Sequence, residues 1–177
     1  MKKLNFLTLI AFITICNLSF GQTKSNAELN ITSDKSILYA ISGTSLSDFN
    51  RRIEKAIEKN LNVEDQNYFA VSGTNLSDYL RKVEKGKKEG LTEVYQKFFA
   101  ISDTSLNDFL RKIEKGEEDG MTEQKRLFYA ISSTSLSDFN RKLNKGIEDG
   151  LDETLSLYFA ISDTSLSDFK RRLNKGK

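Results

Sequence analysis

Residues 39–56 read YAISGTSLSDFNRRIEKA. The same phrase returns at 69–86 as FAVSGTNLSDYLRKVEKG, at 99–116 as FAISDTSLNDFLRKIEKG, at 129–146 as YAISSTSLSDFNRKLNKG and at 159–176 as FAISDTSLSDFKRRLNKG. Ala40, Ala70, Ala100, Ala130 and Ala160 fix the period at 30 residues. A fixed period of about 20–50 residues marks a repeat array, in which one unit is too small to bury its own apolar face and must stack on its neighbours.

Each unit divides into two helical segments. In the second, Ser105 is placed as an N-cap, with Asp108 three residues on completing a capping-box-like pair. Leu106, Phe109 and Ile113 follow at spacings of three and four, one stripe of a 3.6-residue helix. Gly116 continues the stripe, with Gly86, Gly146 and Gly176 equivalent and Ala56 in the first copy. A small residue there either admits a neighbouring backbone or ends the helix in a left-handed conformation. Ala56 favours continuation, which moves the stop to Asn60 and its equivalents Gly90, Gly120 and Gly150. The first segment opens on Thr92-Glu93, Thr122-Glu123 or Asp152-Glu153 and carries Phe98, Phe99, Ala100 and Ile101 or their equivalents. So apolar a run belongs in the middle of the stack, between its own hairpin partner and the next repeat. Its constant alanine suits a close helix crossing.

The reading is therefore all-α: an α-solenoid of about five helix-turn-helix repeats, at about 32–60, 61–90, 91–120, 121–150 and 151–177. The alternative is an α/β horseshoe with 98–102 as a short strand, since aromatic residues and isoleucine favour sheets. The leucine-rich strand pattern and asparagine ladder of that fold are absent.

The N-terminus reads as a processing segment. Lys2 and Lys3 precede an apolar stretch over 4–15, interrupted by Asn5, Thr8 and Thr14 and too short for a stable anchor. Ser19 and Gly21 place small residues before a cut at Gln22. Residues 1–21 are thus expected to be a cleaved signal peptide and 22–31 a polar lead-in, giving a periplasmic or secreted protein. Cys16 follows Ile15 rather than a small residue, a poor match to a lipidation site. Cleavage after Gly21 leaves no cysteine for a disulfide or a thiolate metal site. Without Lys2 and Lys3 the 27 basic residues fall to 25, equal to the 25 acidic ones. No global charge then favours nucleic acid or an anionic membrane. No later stretch is apolar enough to span a membrane.

Catalytic chemistry finds little material. Histidine is absent, and neither a Gly-rich phosphate loop nor zinc-ligand spacing occurs. Ser45, Ser105, Ser135 and Ser165 recur as caps, and a nucleophile has no need of so many copies. The expectation is no enzyme and no cofactor. The acidic turns at 117–119 and 148–153 lack the alternation of a calcium loop and read as solvated turns. Asp48, Asp78, Asp108, Asp138 and Asp168 stand four residues before Arg52, Lys82, Lys112, Lys142 and Arg172. That spacing predicts i,i+4 ion pairs of about 0.3–0.5 kcal/mol each. A second basic row, Arg51, Arg81, Arg111, Arg141 and Arg171, with Lys55 and its equivalents one turn on, is either a polyanion stripe or a solvated face neutralised by its neighbours.

The framework repeats almost unchanged while 87–89, 117–119 and 147–149 vary, as do 94–97, 124–127 and 154–157. Such variation is that of a contact surface or of exposed positions free to drift. The candidate partner-binding residues are Lys87, Lys88, Glu89, Val94, Tyr95, Lys97, Glu117, Glu118, Gln124, Lys125, Arg126, Glu148, Thr154 and Leu155.

The spacing resembles that of ankyrin repeats. Ala100 followed by Leu106, Phe109, Ile113 and Gly116 falls on that family's apolar and glycine positions. Ala70, Leu76, Tyr79, Val83 and Gly86 repeat the match, as do Ala130, Leu136, Phe139, Leu143 and Gly146. The period is three residues shorter than the ankyrin one and the Thr-Pro-Leu-His opening is missing. The resemblance implies stacked helix pairs whose turns and first helices line a concave side that binds another protein. The functional expectation is an exported scaffold for protein–protein interaction, with no specific nucleic acid and no membrane after cleavage. One alternative is a structural or self-associating surface protein, because Lys177 directly follows a second helix and no polar capping repeat covers the array's end. Another is a polyanion binder.

Overall fold

The structure, a computed structural model, describes Leu29 and residues 31–177. The segment read as a signal peptide lies outside the described residues. Ten helices and no strand occur among the described residues: α1 (Lys35–Ile41), α2 (Leu46–Glu58), α3 (Val63–Val71), α4 (Leu76–Lys88), α5 (Glu93–Ile101), α6 (Leu106–Glu118), α7 (Glu123–Ile131), α8 (Leu136–Glu148), α9 (Glu153–Ile161) and α10 (Leu166–Lys175). The described residues form an all-α fold, and the horseshoe alternative finds no support.

Local chemistry fixes the boundaries. Ser45, Asn75, Ser105, Ser135 and Ser165 each accept the amide of the aspartate three residues on, satisfying one of the donors a helix start leaves unpaired. Asn60, Gly90, Gly120 and Gly150 take positive φ, between 55° and 84°, and turn the chain from an even helix into the next odd one.

The odd helices form an inner ring. α1 touches α3, α3 touches α5, α5 touches α7, α7 touches α9, and α9 returns to α1. Each even helix packs most extensively on the odd helix that follows it: α2 on α3, α4 on α5, α6 on α7 and α8 on α9. α10 packs on α1 and supplies the fifth pair. Two expectations are corrected here. The closest helix pair straddles the boundary between units, because the four-residue turn after each even helix folds the chain back antiparallel. Within a unit the two helices meet chiefly through rings, as with Tyr39–Phe49 and Phe69–Tyr79, both 5.9 Å apart. And α10 presents no uncapped apolar end, because it is seated against α1.

Small residues set the curvature. Ala40, Ala70, Ala100, Ala130 and Ala160 are at most 1% exposed. On the even helices, a Cβ added at Gly86 would lie 3.3 Å from the Cα of Gln96, and one at Gly146 would lie 3.2 Å from that of Ser156. At the seam, a Cβ on Gly176 would lie 2.8 Å from the Cα of Ser36. The same glycine–backbone approach thus joins the chain's last helix to its first as joins neighbours along the chain.

Leu38, Tyr68, Phe98, Phe128 and Tyr158 occupy one register on the inner helices and are fully buried. Their rings meet in series, Tyr68–Phe98 at 5.6 Å, Phe98–Phe128 at 5.8 Å and Phe128–Tyr158 at 5.0 Å, in tilted or edge-on contacts. α1 is seven residues long where the other odd helices have nine. Extended backbone precedes it: the amide of Ile31 donates to the Tyr68 hydroxyl at 3.3 Å and that of Thr32 to the Tyr158 hydroxyl at 2.5 Å. Ile31, at the end of the segment read as a polar lead-in, is buried. Burial pushes Tyr158 up to about 12, which keeps its hydroxyl protonated.

Candidate functional site

Five odd helices end side by side, at Ile41, Val71, Ile101, Ile131 and Ile161. A helix C-terminus leaves carbonyls unpaired and carries about half a negative charge. Here each end is clamped twice. The serine that follows the helix donates its Oγ to a carbonyl three residues back, Ser72 to Phe69 at 2.9 Å, Ser102 to Phe99 at 2.8 Å and Ser132 to Tyr129 at 2.7 Å. A basic residue from the preceding even helix then reaches over. Arg52 donates to the carbonyls of Phe69 and Thr74, each at 2.8 Å, and also to that of Ser72. Lys82 donates to Ser102, Lys112 to Ser132 at 2.5 Å and Lys142 to Ser162 at 2.5 Å. Arg172 closes the set across the seam, on the carbonyls of Tyr39 at 2.6 Å and Thr44 at 2.9 Å. The same cations lie over ring faces, Arg52 4.5 Å from Phe69 and Arg172 4.3 Å from Tyr39. Burial lowers the pKa of Arg52, Lys82, Lys112 and Lys142, because it disfavours the charged form.

The expected i,i+4 ladder is therefore corrected. Asp48, Asp78, Asp108, Asp138 and Asp168 pair with Arg51, Arg81, Arg111, Arg141 and Arg171 at i,i+3, at 2.7–2.8 Å. The residue at i+4 is drawn away by helix-terminal carbonyls, 17 or more positions downstream for Arg52, Lys82, Lys112 and Lys142 and 128 or more positions upstream for Arg172. The aspartate–arginine pairs are exposed and screened by solvent, so they contribute little to stability.

Inside the ring of clamps lies a cavity of about 130 Å³. Its floor is Ile41, Val71, Ile101, Ile131 and Ile161, and its rim is Gly43, Gly73, Asp103, Ser133 and Asp163. Ser133 donates its Oγ to Asp163 Oδ1 at 3.1 Å. Asp103 leans over Gly73, where an added Cβ would lie 3.3 Å from its Oδ1. These rim residues are one position of the repeat. Its neighbours, Ser42 and Thr44 with their equivalents, never change, while it reads Gly, Gly, Asp, Ser, Asp. Sequence reasoning missed it, although a variable residue between two constant ones was a readable signal.

No family model, curated protein or solved structure matches the chain. The ankyrin resemblance therefore rests on spacing alone, and the site is judged on its own geometry.

The candidate contact residues do not form one surface. Val94, Tyr95 and Lys97 are buried, contrary to expectation, because the first helices face the interior of a closed ring rather than an open concave side. Lys97 bridges Glu64 of α3 and Glu93 of its own helix, both at 2.8 Å. Burial opposes its charge, but the two carboxylates raise its pKa on balance. Gln124, Lys125, Arg126 and Leu155 are half-buried. Lys125 binds Glu153 and Arg126 binds Glu117, so both serve contacts within the fold. Lys87, Lys88, Glu89, Glu117, Glu118, Glu148 and Thr154 are exposed. Among the described residues no three potential metal-ligating side chains gather, and no helix is long and apolar enough to cross a membrane.

Proposed function

We propose that this chain is an exported protein–protein interaction module that meets its partner through the axial mouth at the C-terminal ends of the inner helices. The observation carrying this reading is the convergence on that mouth of the most variable position in a turn that is otherwise constant except for Asn75. Packing explains why Ser42, Thr44 and their equivalents stay the same. It does not require Gly43, Gly73, Asp103, Ser133 and Asp163 to differ. Half-exposed aliphatic side chains in a recess with a polar rim suit a buried contact surrounded by hydrogen-bonding groups.

Other surfaces support the idea less. The opposite end of the inner ring is occupied by the chain's own Ile31 and Thr32. Arg51 and its equivalents are each paired with an aspartate, which weakens a polyanion stripe. Self-association through an open end loses its basis with α10 seated on α1. Export rests on the Lys2, Lys3 and apolar pattern of residues 1–21, and mass analysis of the mature protein should find Gln22 first.

The test is site-resolved. A small diazirine-bearing amino acid is placed at position 133 on the rim, or at position 144 on the exposed outer face of α8, and irradiated in the cells that export the protein. Discrete adducts from 133 and none from 144 are expected. Equal labelling at both, or none at 133, defeats the proposal.

A further inference from the structure

We infer that the axial mouth accepts the side chain of a lysine presented by the partner, its methylenes on the aliphatic floor and its ammonium at Asp103 and Asp163. This rests on the reading of the mouth as the contact face. A recess of about 130 Å³, open to solvent, is large enough to take one extended side chain. The floor is Ile41, Val71, Ile101, Ile131 and Ile161, which favours an apolar stem. The lining contains two carboxylates and no cation.

The nearby cations are already committed. Lys82 and Lys142 are the cations whose charges act on Asp103 and Asp163. Their ammonium groups end on the carbonyls of Ser102 and Ser162, and neither lines the recess. Asp163 accepts the neutral hydroxyl of Ser133 and feels the charge of Lys142, whose ammonium is hydrogen-bonded to the Ser162 carbonyl rather than to this carboxylate. A side chain with an unbranched apolar stem and a compact terminal charge matches this arrangement. Lysine has that form, and its three ammonium donors can meet acceptors on different parts of a rim. Arginine's planar fork favours a single carboxylate met edge-on, a geometry less suited to acids from separate repeats.

The test uses the whole protein with methyl-labelled isoleucine and valine. It is titrated with Nα-acetyl-lysine N-methylamide and separately with Nα-acetyl-norleucine N-methylamide, which keeps the stem and lacks the charge. Saturable shifts at Ile101, Ile131 and Ile161 are expected with the lysine probe. They should weaken with added salt, and the norleucine probe should bind several-fold more weakly. In Asp103→Asn/Asp163→Asn, which changes exposed rim positions, affinity for the lysine probe should fall by about fivefold, as two partly screened ion pairs predict. Equal binding of the two probes, or unchanged affinity in the double variant, overturns the lysine assignment. Should the lysine probe fail while position 133 still yields adducts, the mouth remains the contact face and only its guest is wrong. Failure of both removes the face itself.

Discussion

Arg172 donates to the carbonyl of Tyr39 at 2.6 Å, a bond between residues 133 positions apart. It repeats, without a connecting turn, the bond that Arg52 makes to Phe69 in the next inner helix. At the other pairs the chain itself holds the two helices together. At the seam only side chains do, so this residue carries more of the closure than its equivalents do. Arg172→Ala is expected to cost about 1.5–3 kcal/mol, the range for hydrogen bonds to a charged group. Lys142→Ala should cost less. Hydrogen exchange should speed up selectively in α1 and α10 of the Arg172 variant. Uniform acceleration in all ten helices would argue against a local seam.

Tyr158 and Phe128 hold the same register but opposite chemistry. Tyr158→Phe removes the acceptor for the half-buried amide of Thr32 and is expected to destabilise by about 0.5–1.5 kcal/mol. Phe128→Tyr introduces a hydroxyl at a site that is 1% exposed, at a cost of about 1–3 kcal/mol where it meets no partner. Chemical denaturation of the two single variants checks both. A neutral Tyr158→Phe would mean that the segment before α1 gains nothing from the hydroxyl.

Gly86 and Gly146 separate helix propensity from packing. A Cβ at either would sit in a helix interior, where alanine is favoured over glycine by about 1 kcal/mol. At Gly86 the nearest atom is 3.3 Å away, and Ala56 already occupies the equivalent position in the first unit. At Gly146 the Oγ and Cβ of Ser156 would lie at 2.8 and 3.0 Å. Gly86→Ala should be close to neutral and Gly146→Ala destabilising by about 1–3 kcal/mol through overpacking. Melting temperatures that rise together in both variants would show that the crossing has slack.

Acid should weaken the caps and the Lys97 bridge. Asp138 and Asp168 lie below their ordinary 3.8 because Arg141 with Ser135, and Arg171 with Ser165, hydrogen-bond the charged form. Glu93 lies below 4.5 through its bond from Lys97. A folded-state pKa below the unfolded value means that the unfolded chain binds the proton more readily. The stabilisation is then complete above the ordinary values and is lost as pH falls through the folded ones. Melting temperature should hold steady from pH 7 to about 5 and drop below about pH 4. A profile flat to pH 2 would contradict the cap geometry.

Much of the fold was legible because it is written locally and five times. Ser105 with Asp108 announces a helix start wherever it stands, and Asn60 with Gly90 announces a stop, since both depend on residues within one turn. The apolar stripe through Phe109 and Ile113 identified the buried face from period alone. The Arg52 and Lys82 row was misread for the opposite reason. From sequence the nearest acid is four residues back, whereas in the fold a stronger acceptor, a helix end, arrives from the next unit. Val94, Tyr95 and Lys97 varied as surface residues do, yet closure of the ring placed them inside.

The sequence by itself determined the helices, their caps, the stripe each buries and the stacking of like units, because these follow from backbone chemistry and a repeated pattern. Only the tertiary structure decided that the stack closes after five steps, with α10 completing the pair begun by α1. Curvature accumulates from small offsets at each glycine and alanine crossing, and no single unit contains the sum. Closure in turn brought Gly43, Gly73, Asp103, Ser133 and Asp163, spread over 120 residues of chain, around one recess.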